Sequence, residues 1–265
     1  MQLLSLYLEK NKMQDIQVKC ESKPTLLTIK LSVNSPQKIR LMVYNPNRPN
    51  TYYTNRVKTV SGVAEFEVRM PQNCDTVVVK VVSTNGSSNG INIISVNKSS
   101  LNQHIGCYGQ SNIASFVKFA QEFSEQASVL STGTYFSDDK KYRIDYFDVI
   151  KQGGREIPTP ARISNMNGRM EVAKKHFLAY TVPMRMAILL HECSHFYINV
   201  VQKDEIEADL NALKIYLGLG YPVIEAHMSF LNVFKGTPSE QNKERYQYIK
   251  SFIDNFEDMK YRICL

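Results

Sequence analysis

Along the first third of the chain, apolar and polar residues alternate with a period of two. Residues 16–19, 25–33, 38–44, 63–70 and 76–82 either alternate in this way or run β-branched. Successive side chains on a strand point to opposite faces, so the pattern predicts strands with one covered face. Turn-forming stretches separate them: Asn34-Ser35-Pro36, residues 45–50 (rich in Asn and Pro), and Pro71-Gln72-Asn73. Residues 83–90 read as a polar loop and 91–96 as a last strand. Short strands at this spacing predict an antiparallel β-sandwich over residues 1–98. Tyr44, Tyr52 and Tyr53 flank the Asn/Pro loop, as a recognition patch or as the cover of a sandwich end.

Residues 99–112 are rich in Ser, Asn, Gln and Gly and read as a linker carrying His104 and Cys107. The period then changes. Ile113, Phe116, Val117, Phe119, Ala120, Phe123 and Ala127 fall mostly on one side of a helix over 113–130. A strand is expected at 142–150. A hairpin is expected from 157–164 and 169–173, turning at Asn167-Gly168 with type I′ geometry. Helices follow from Pro183, from Glu205 to about Leu217, over 223–234 and over 239–256. The fold class is therefore α+β: a β-sandwich (1–98), a linker (99–112) and a helix-rich domain (113–265).

The helix from Pro183 carries His191-Glu192-Cys193-Ser194-His195. Residues four apart lie one turn apart on the same helical face, so both imidazoles can reach one metal ion. Glu192 projects beside them as a general base for a metal-activated water. Ile188-Leu189-Leu190 and Phe196-Tyr197 flank the motif, the apolar setting that a buried metal site requires. Cys193, two positions from each His, faces away from the metal.

A third ligand is expected downstream, in Asp204-Glu205-Ile206-Glu207-Ala208-Asp209. Nine residues separate His195 from Glu205, enough for one more helical turn, a reversal and an antiparallel return. Glu205 would then stand level with the metal, and Asp209, on the same face, would hold a ligand His by its free N–H. Glu207 is the alternative third ligand.

HExxH followed by ExxxD on the next helix resembles the gluzincin pattern of zinc metallopeptidases. The uncharged Leu190 before the motif and Phe196-Tyr197 after it also match. The resemblance implies a zincin-like α+β metallopeptidase domain, with Zn2+ on His191, His195 and Glu205, Glu192 as base and Asp209 behind a ligand. It further implies a peptide or protein substrate pairing with an edge strand before the motif helix, here residues 169–180. Candidate donors for the oxyanion are His227, favoured, and Tyr197 or Tyr180. As a whole, the chain is also similar to virion-associated zincin-like proteins of crAss-like tailed phages. That likeness implies the alternative function, a structural or adaptor protein of a large assembly.

Charge refines the picture. Residues 1–100 hold 13 Lys and Arg against 6 Asp and Glu, so the net charge of +7 resides there. These charges are scattered singly along strands, which speaks for solvated sheet faces and against nucleic-acid binding. A protein partner docking through the β-sandwich is expected instead. No apolar run approaches the length of a membrane span, and the short apolar N-terminus lacks the basic region of a signal peptide. Five scattered cysteines, an odd number, suggest free thiols in a reducing, cytoplasmic compartment, or within a virion.

Overall fold

The computed structural model describes residues 15–84, 90–101, 111–236 and 239–263. His104, Cys107 and Cys264 lie outside the described residues. The chain divides into two compact units, Met1–Asn102 and Gln103–Leu265.

The first unit is an antiparallel sheet of three long strands: β1 (Ile16–Tyr44), β2 (Tyr52–Ser83) and β3 (Ile91–Ser100), in the order β2-β1-β3. The alternation seen in the sequence is the alternation of burial. Leu27, Ile29, Leu31, Ile39, Leu41 and Val43 are all buried. The strands do not break where turns were expected. Asn34-Ser35-Pro36 and Pro71-Gln72-Asn73 are absorbed as bulges, marked by register shifts between Val33 and Gln37 and between Lys23 and Thr25. A bulge takes up unpaired residues, including a Pro that cannot donate, without ending the ladder. Residues 25–33 pair with 62–70 and with β3, whereas 39–44 pair both with 52–58 and with 78–83. Residues 52–60, which the pattern did not mark as a strand, belong to β2. Tyr53 is fully buried and is core, not surface; the rings of Tyr44 and Tyr52 meet at a tilt, with centroids 5.7 Å apart.

The second unit is a mixed sheet with six helices. Its strands β4 (Gly133–Phe136), β5 (Arg143–Phe147), β8 (Ala161–Ile163) and β9 (Met170–Ala173) run in the order β4-β5-β9-β8. The β5/β9 pair is parallel and the others antiparallel. A two-stranded ribbon, β6 (Lys151–Gln152) and β7 (Arg155–Glu156), turns at Gly153-Gly154, both with positive φ. The helices are α1 (Ser111–Gln126), α2 (Lys174–Phe177), α3 (Val182–Tyr197), α4 (Glu205–Gly218), α5 (Val223–Gly236) and α6 (Glu240–Ile263). One apolar cluster joins them, with Phe123 meeting Tyr135, Tyr146 and Phe177 edge-on or tilted.

Two features of this sheet differ from what the sequence predicts. The β8/β9 hairpin forms, but not through a two-residue type I′ turn. That turn needs positive φ at both central residues, and of the Asn167-Gly168 pair only Gly168 has it. Ser164 and Arg169 close the strands around a longer loop, with Gly168 N–H donating to Ser164 O at 2.9 Å. Second, β9, within the 169–180 segment, is an inner strand; the edge beside it is β8.

The helix α3 is buried on nearly all sides from Val182 to Leu190, which is why its sequence reads as apolar rather than striped. Thr181 caps it by accepting from Met184 N–H, and Pro183 sits in its first turn. The fully buried Arg185 donates to Ser124 O, Phe177 O and Leu178 O, tying α3 to the end of α1 and to α2. Burial pushes its guanidinium down to about 10.

Candidate metal centre

His191 and His195 occupy the last turns of α3, one above the other, with ring centroids 4.7 Å apart. Beyond Tyr197 the chain reverses in a short loop. His195 Nδ1–H donates to Gln202 O at 2.7 Å, and Asn199 Nδ2 donates to Asp204 O at 2.9 Å. Asp204 then caps α4 by accepting from Glu207 N–H. The helix therefore starts at Glu205 and brings its carboxylate back to the two imidazoles.

The residues that could hold a metal are His191, His195 and Glu205. The two Nε2 atoms are 3.1 Å apart; Glu205 lies 3.5 Å from His191 by one oxygen and 3.6 Å from His195 by the other. Nitrogen and oxygen ligands at their usual distances on a tetrahedral zinc stand roughly 3.3 Å from one another. The three separations match that spacing. His195 Nδ1 is bonded to Gln202 O and His191 Nδ1 faces Asp209, so both Nε2 atoms are turned inward. Two imidazoles and a carboxylate are a donor set that suits zinc.

Asp209 Oδ1 lies 2.8 Å from His191 Nδ1, a close contact rather than a well-aligned hydrogen bond. Asp209 is itself buried, and Arg245 on α6 grips it with Nε at 2.7 Å and a terminal nitrogen at 2.9 Å. The same guanidinium reaches Glu205 at 3.0 Å. With the carboxylates ionised and the imidazoles neutral, as metal binding requires, Glu192, Glu205 and Asp209 with Arg245 would carry two net negative charges, the complement of a divalent cation.

The acidities follow from this crowding. Desolvation works against charge on His191, but Asp209 and Glu205 override it and raise its pKa to about 10 in the metal-free site. Burial, and then His191, push His195 down. Burial would raise Glu205, yet the His191 hydrogen bond and charge, with Arg245 and His195, hold it at about 2. Burial lifts Glu192 to about 7 and Glu205 adds to this, opposed by His191, the Ile163 N–H and Arg245. A carboxyl near neutrality can both take and return a proton.

These residues line a cavity of about 560 Å³, walled on one side by Thr159–Ile163 of the β8 segment and on the other by Gln202 and Lys203. Glu207 is engaged elsewhere, accepting from the Val200 and Val201 amides at 2.9 and 3.2 Å. Cys193 is buried in the core, where burial pushes its thiol up. His227 is not brought to the site. It lies on α5 against Tyr246 of α6, with ring centroids 6.1 Å apart, and is not among the residues lining the cavity. Tyr180 does not line the cavity either, and Tyr197 turns its hydroxyl to Gly168 O at 3.4 Å.

The sequence reading missed Arg245 and the Gln202 carbonyl. Nothing in the charged stretch 240–250 sets Arg245 apart; only the need for a cation beside Asp209 and Glu205 could have pointed to one. No protein-family model, no curated protein and no solved structure matches the chain.

Proposed function

We propose that this protein is a zinc-dependent peptidase of zincin-like fold. The single observation that carries the reading is the near-tetrahedral spacing of His191, His195 and Glu205 on an open cavity, with Glu192 beside them. When bound there, the zinc would polarise the scissile carbonyl and acidify water. Glu192 takes the proton and delivers it to the leaving amine. Arg245 and Asp209 hold the ligands in place. A peptide or protein chain would lie along the edge strand β8, whose outer side faces no other strand of its sheet.

Every residue lining the cavity belongs to the second unit. This supports a separate task for the first unit. We propose it as a docking module of sandwich type for a protein partner, as in a component of a large assembly such as a phage particle. The sandwich reading rests on residues 39–44 pairing on both sides while 25–33 pair with different segments.

Zinc analysis paired with peptide hydrolysis tests the proposal. The parent should bind about one zinc per chain and cleave members of a broad peptide library. Glu192→Gln should keep the zinc and the fold while losing roughly 100- to 10,000-fold in turnover. A parent without zinc after refolding with the metal would end the reading. Tight zinc with no cleavage would favour a structural site in an assembly protein.

A further inference from the structure

Cys20 and Cys74 are far apart in sequence but meet in the first unit. Both are 2% exposed, and the thiol of Cys74 hydrogen-bonds to that of Cys20. They meet where the β1/β2 ladder is interrupted twice. Lys19 pairs with Thr76 and Lys23 with Cys74, so Cys20, Glu21 and Ser22 bulge opposite Asp75 alone. Pairing resumes at Thr25 with Met70, so Pro71, Gln72 and Asn73 bulge opposite Pro24.

The bulge that carries Cys20 is strained. Glu21 and Ser22 both adopt left-handed backbone, with φ of 60° and 53°, a conformation costly for residues with a Cβ. In the facing bulge, the side chain of Gln72 is buried at 4% exposure, with neither amide nitrogen nor oxygen hydrogen-bonded among the described residues. A segment with few ladder bonds, strained dihedrals and an unsatisfied amide opens locally at low cost. From β3, Lys98 Nζ reaches Lys19 O and Glu21 Oε1, each at 2.9 Å, and sets a positive charge at the bulge.

We propose that Cys20 and Cys74 form a disulfide by exchange with an oxidised low-molecular-weight thiol such as oxidised glutathione. Cys20 is the attacking thiol: the Cys74 hydrogen bond, foremost, with Thr25 and Lys98, holds it below the ordinary thiol value despite burial. The Cys20 thiolate attacks one sulfur of the oxidant. A mixed disulfide forms and one glutathione thiolate leaves. The Cys74 thiolate then attacks the Cys20 sulfur, forming the Cys20–Cys74 bond and expelling the second glutathione. Two protein thiols are oxidised, one glutathione disulfide is reduced to two thiols, and the two protons pass to the departing thiolates. The bond would lock the two bulges together and make the first unit sensitive to redox conditions. This inference is independent of the metal centre.

The test uses the full-length protein, reduced and then freed of reductant, with oxidised glutathione under native conditions. After acid quench and alkylation, peptide mass mapping should find a Cys20–Cys74 cross-link, two hydrogens lighter than the reduced pair, in protein with an unchanged circular dichroism spectrum. In Cys74→Ser, Cys20 should stop as the glutathione mixed disulfide. Recovery of both cysteines fully alkylated from the oxidised, folded parent would overturn the proposal. So would cross-links that map instead to Cys107, Cys193 or Cys264. A Cys74→Ser variant whose Cys20 takes no glutathione, beside a parent that cross-links, would overturn the assignment of Cys20 as attacking thiol.

Discussion

Arg245 holds Asp209 by both carboxylate oxygens, at 2.7 and 2.9 Å, while Asp209 faces His191 at 2.8 Å. A residue on the last helix thus reaches His191 through one intermediary and Glu205 directly. Arg245 is nearly buried, so its removal strips the buried Asp209 carboxylate of the partner that holds both its oxygens and leaves it only the His191 contact. Arg245→Met should therefore destabilise the protein by about 3 kcal/mol. It should also weaken zinc binding roughly 10- to 100-fold, the usual effect of losing support behind a ligand. Chemical denaturation and competition titration with a chelator measure the two effects. Unchanged zinc affinity would show that the clamp serves folding alone.

Glu205 and Glu207 separate by their partners. Glu205 faces both imidazoles, whereas Glu207 caps the loop amides of Val200 and Val201. Glu205→Ala should abolish tight zinc binding. Glu207→Ala should leave zinc in place and cost about 1 kcal/mol per lost hydrogen bond, visible as faster amide exchange at 200 and 201. Equal zinc losses in the two variants would count against the ligand assignment.

Gly168 sits where the β8/β9 loop passes the end of α3. Its φ is +67°, and a Cβ there would come within 2.5 Å of Tyr197 Oη and 2.7 Å of Phe196 Cδ1. Gly168→Ala combines a strained dihedral with a clash against the helix that carries the two histidines. Several kcal/mol of stability should be lost, with zinc affinity falling alongside as the end of α3 shifts. A thermal midpoint equal to the parent's would mean that this contact is looser than the distances imply.

How far the sequence could be read depended on whether the information was local. The spacing of His191 and His195 is set by helix geometry, and the reversal to Glu205 by the nine residues between. Both are short-range, and both were legible. The burial of α3 followed from its apolar run Met186 to Leu190, although nothing in that pattern announced that Arg185 is buried with it. Arg245 lies far along the chain, on a helix whose charges look solvated, and only tertiary packing selects it. His227 is not among the residues lining the cavity, and its distance from Glu205 in sequence carried no information about which face of α5 meets it. In the first unit, Pro36 and Pro71 looked like strand ends, yet the ladder continues past them because bulges accommodate what a regular pairing cannot. Likewise the two cysteines that meet across β1 and β2 look scattered until the register of the strands is known.

In the metal-free site, Asp209 and Glu205 raise His191 to about 10, so at neutral pH that imidazole carries a proton. A folded-state value above the unfolded one, about 6.5 for His, stabilises the metal-free protein at acid pH. That contribution is complete below about 6.5 and is lost as the pH rises through about 10. Zinc needs the neutral imidazole, so it must displace this proton. The two linkages have opposite signs: raising the pH from 6.5 towards 10 should weaken the metal-free protein while strengthening zinc binding by up to about tenfold per pH unit. Calorimetric titration in buffers of different ionisation enthalpy should detect about one proton released per zinc at pH 7.5. Zinc binding with no proton release, and an affinity flat across this range, would mean that His191 is already neutral and that Asp209 does not act on it as the geometry implies.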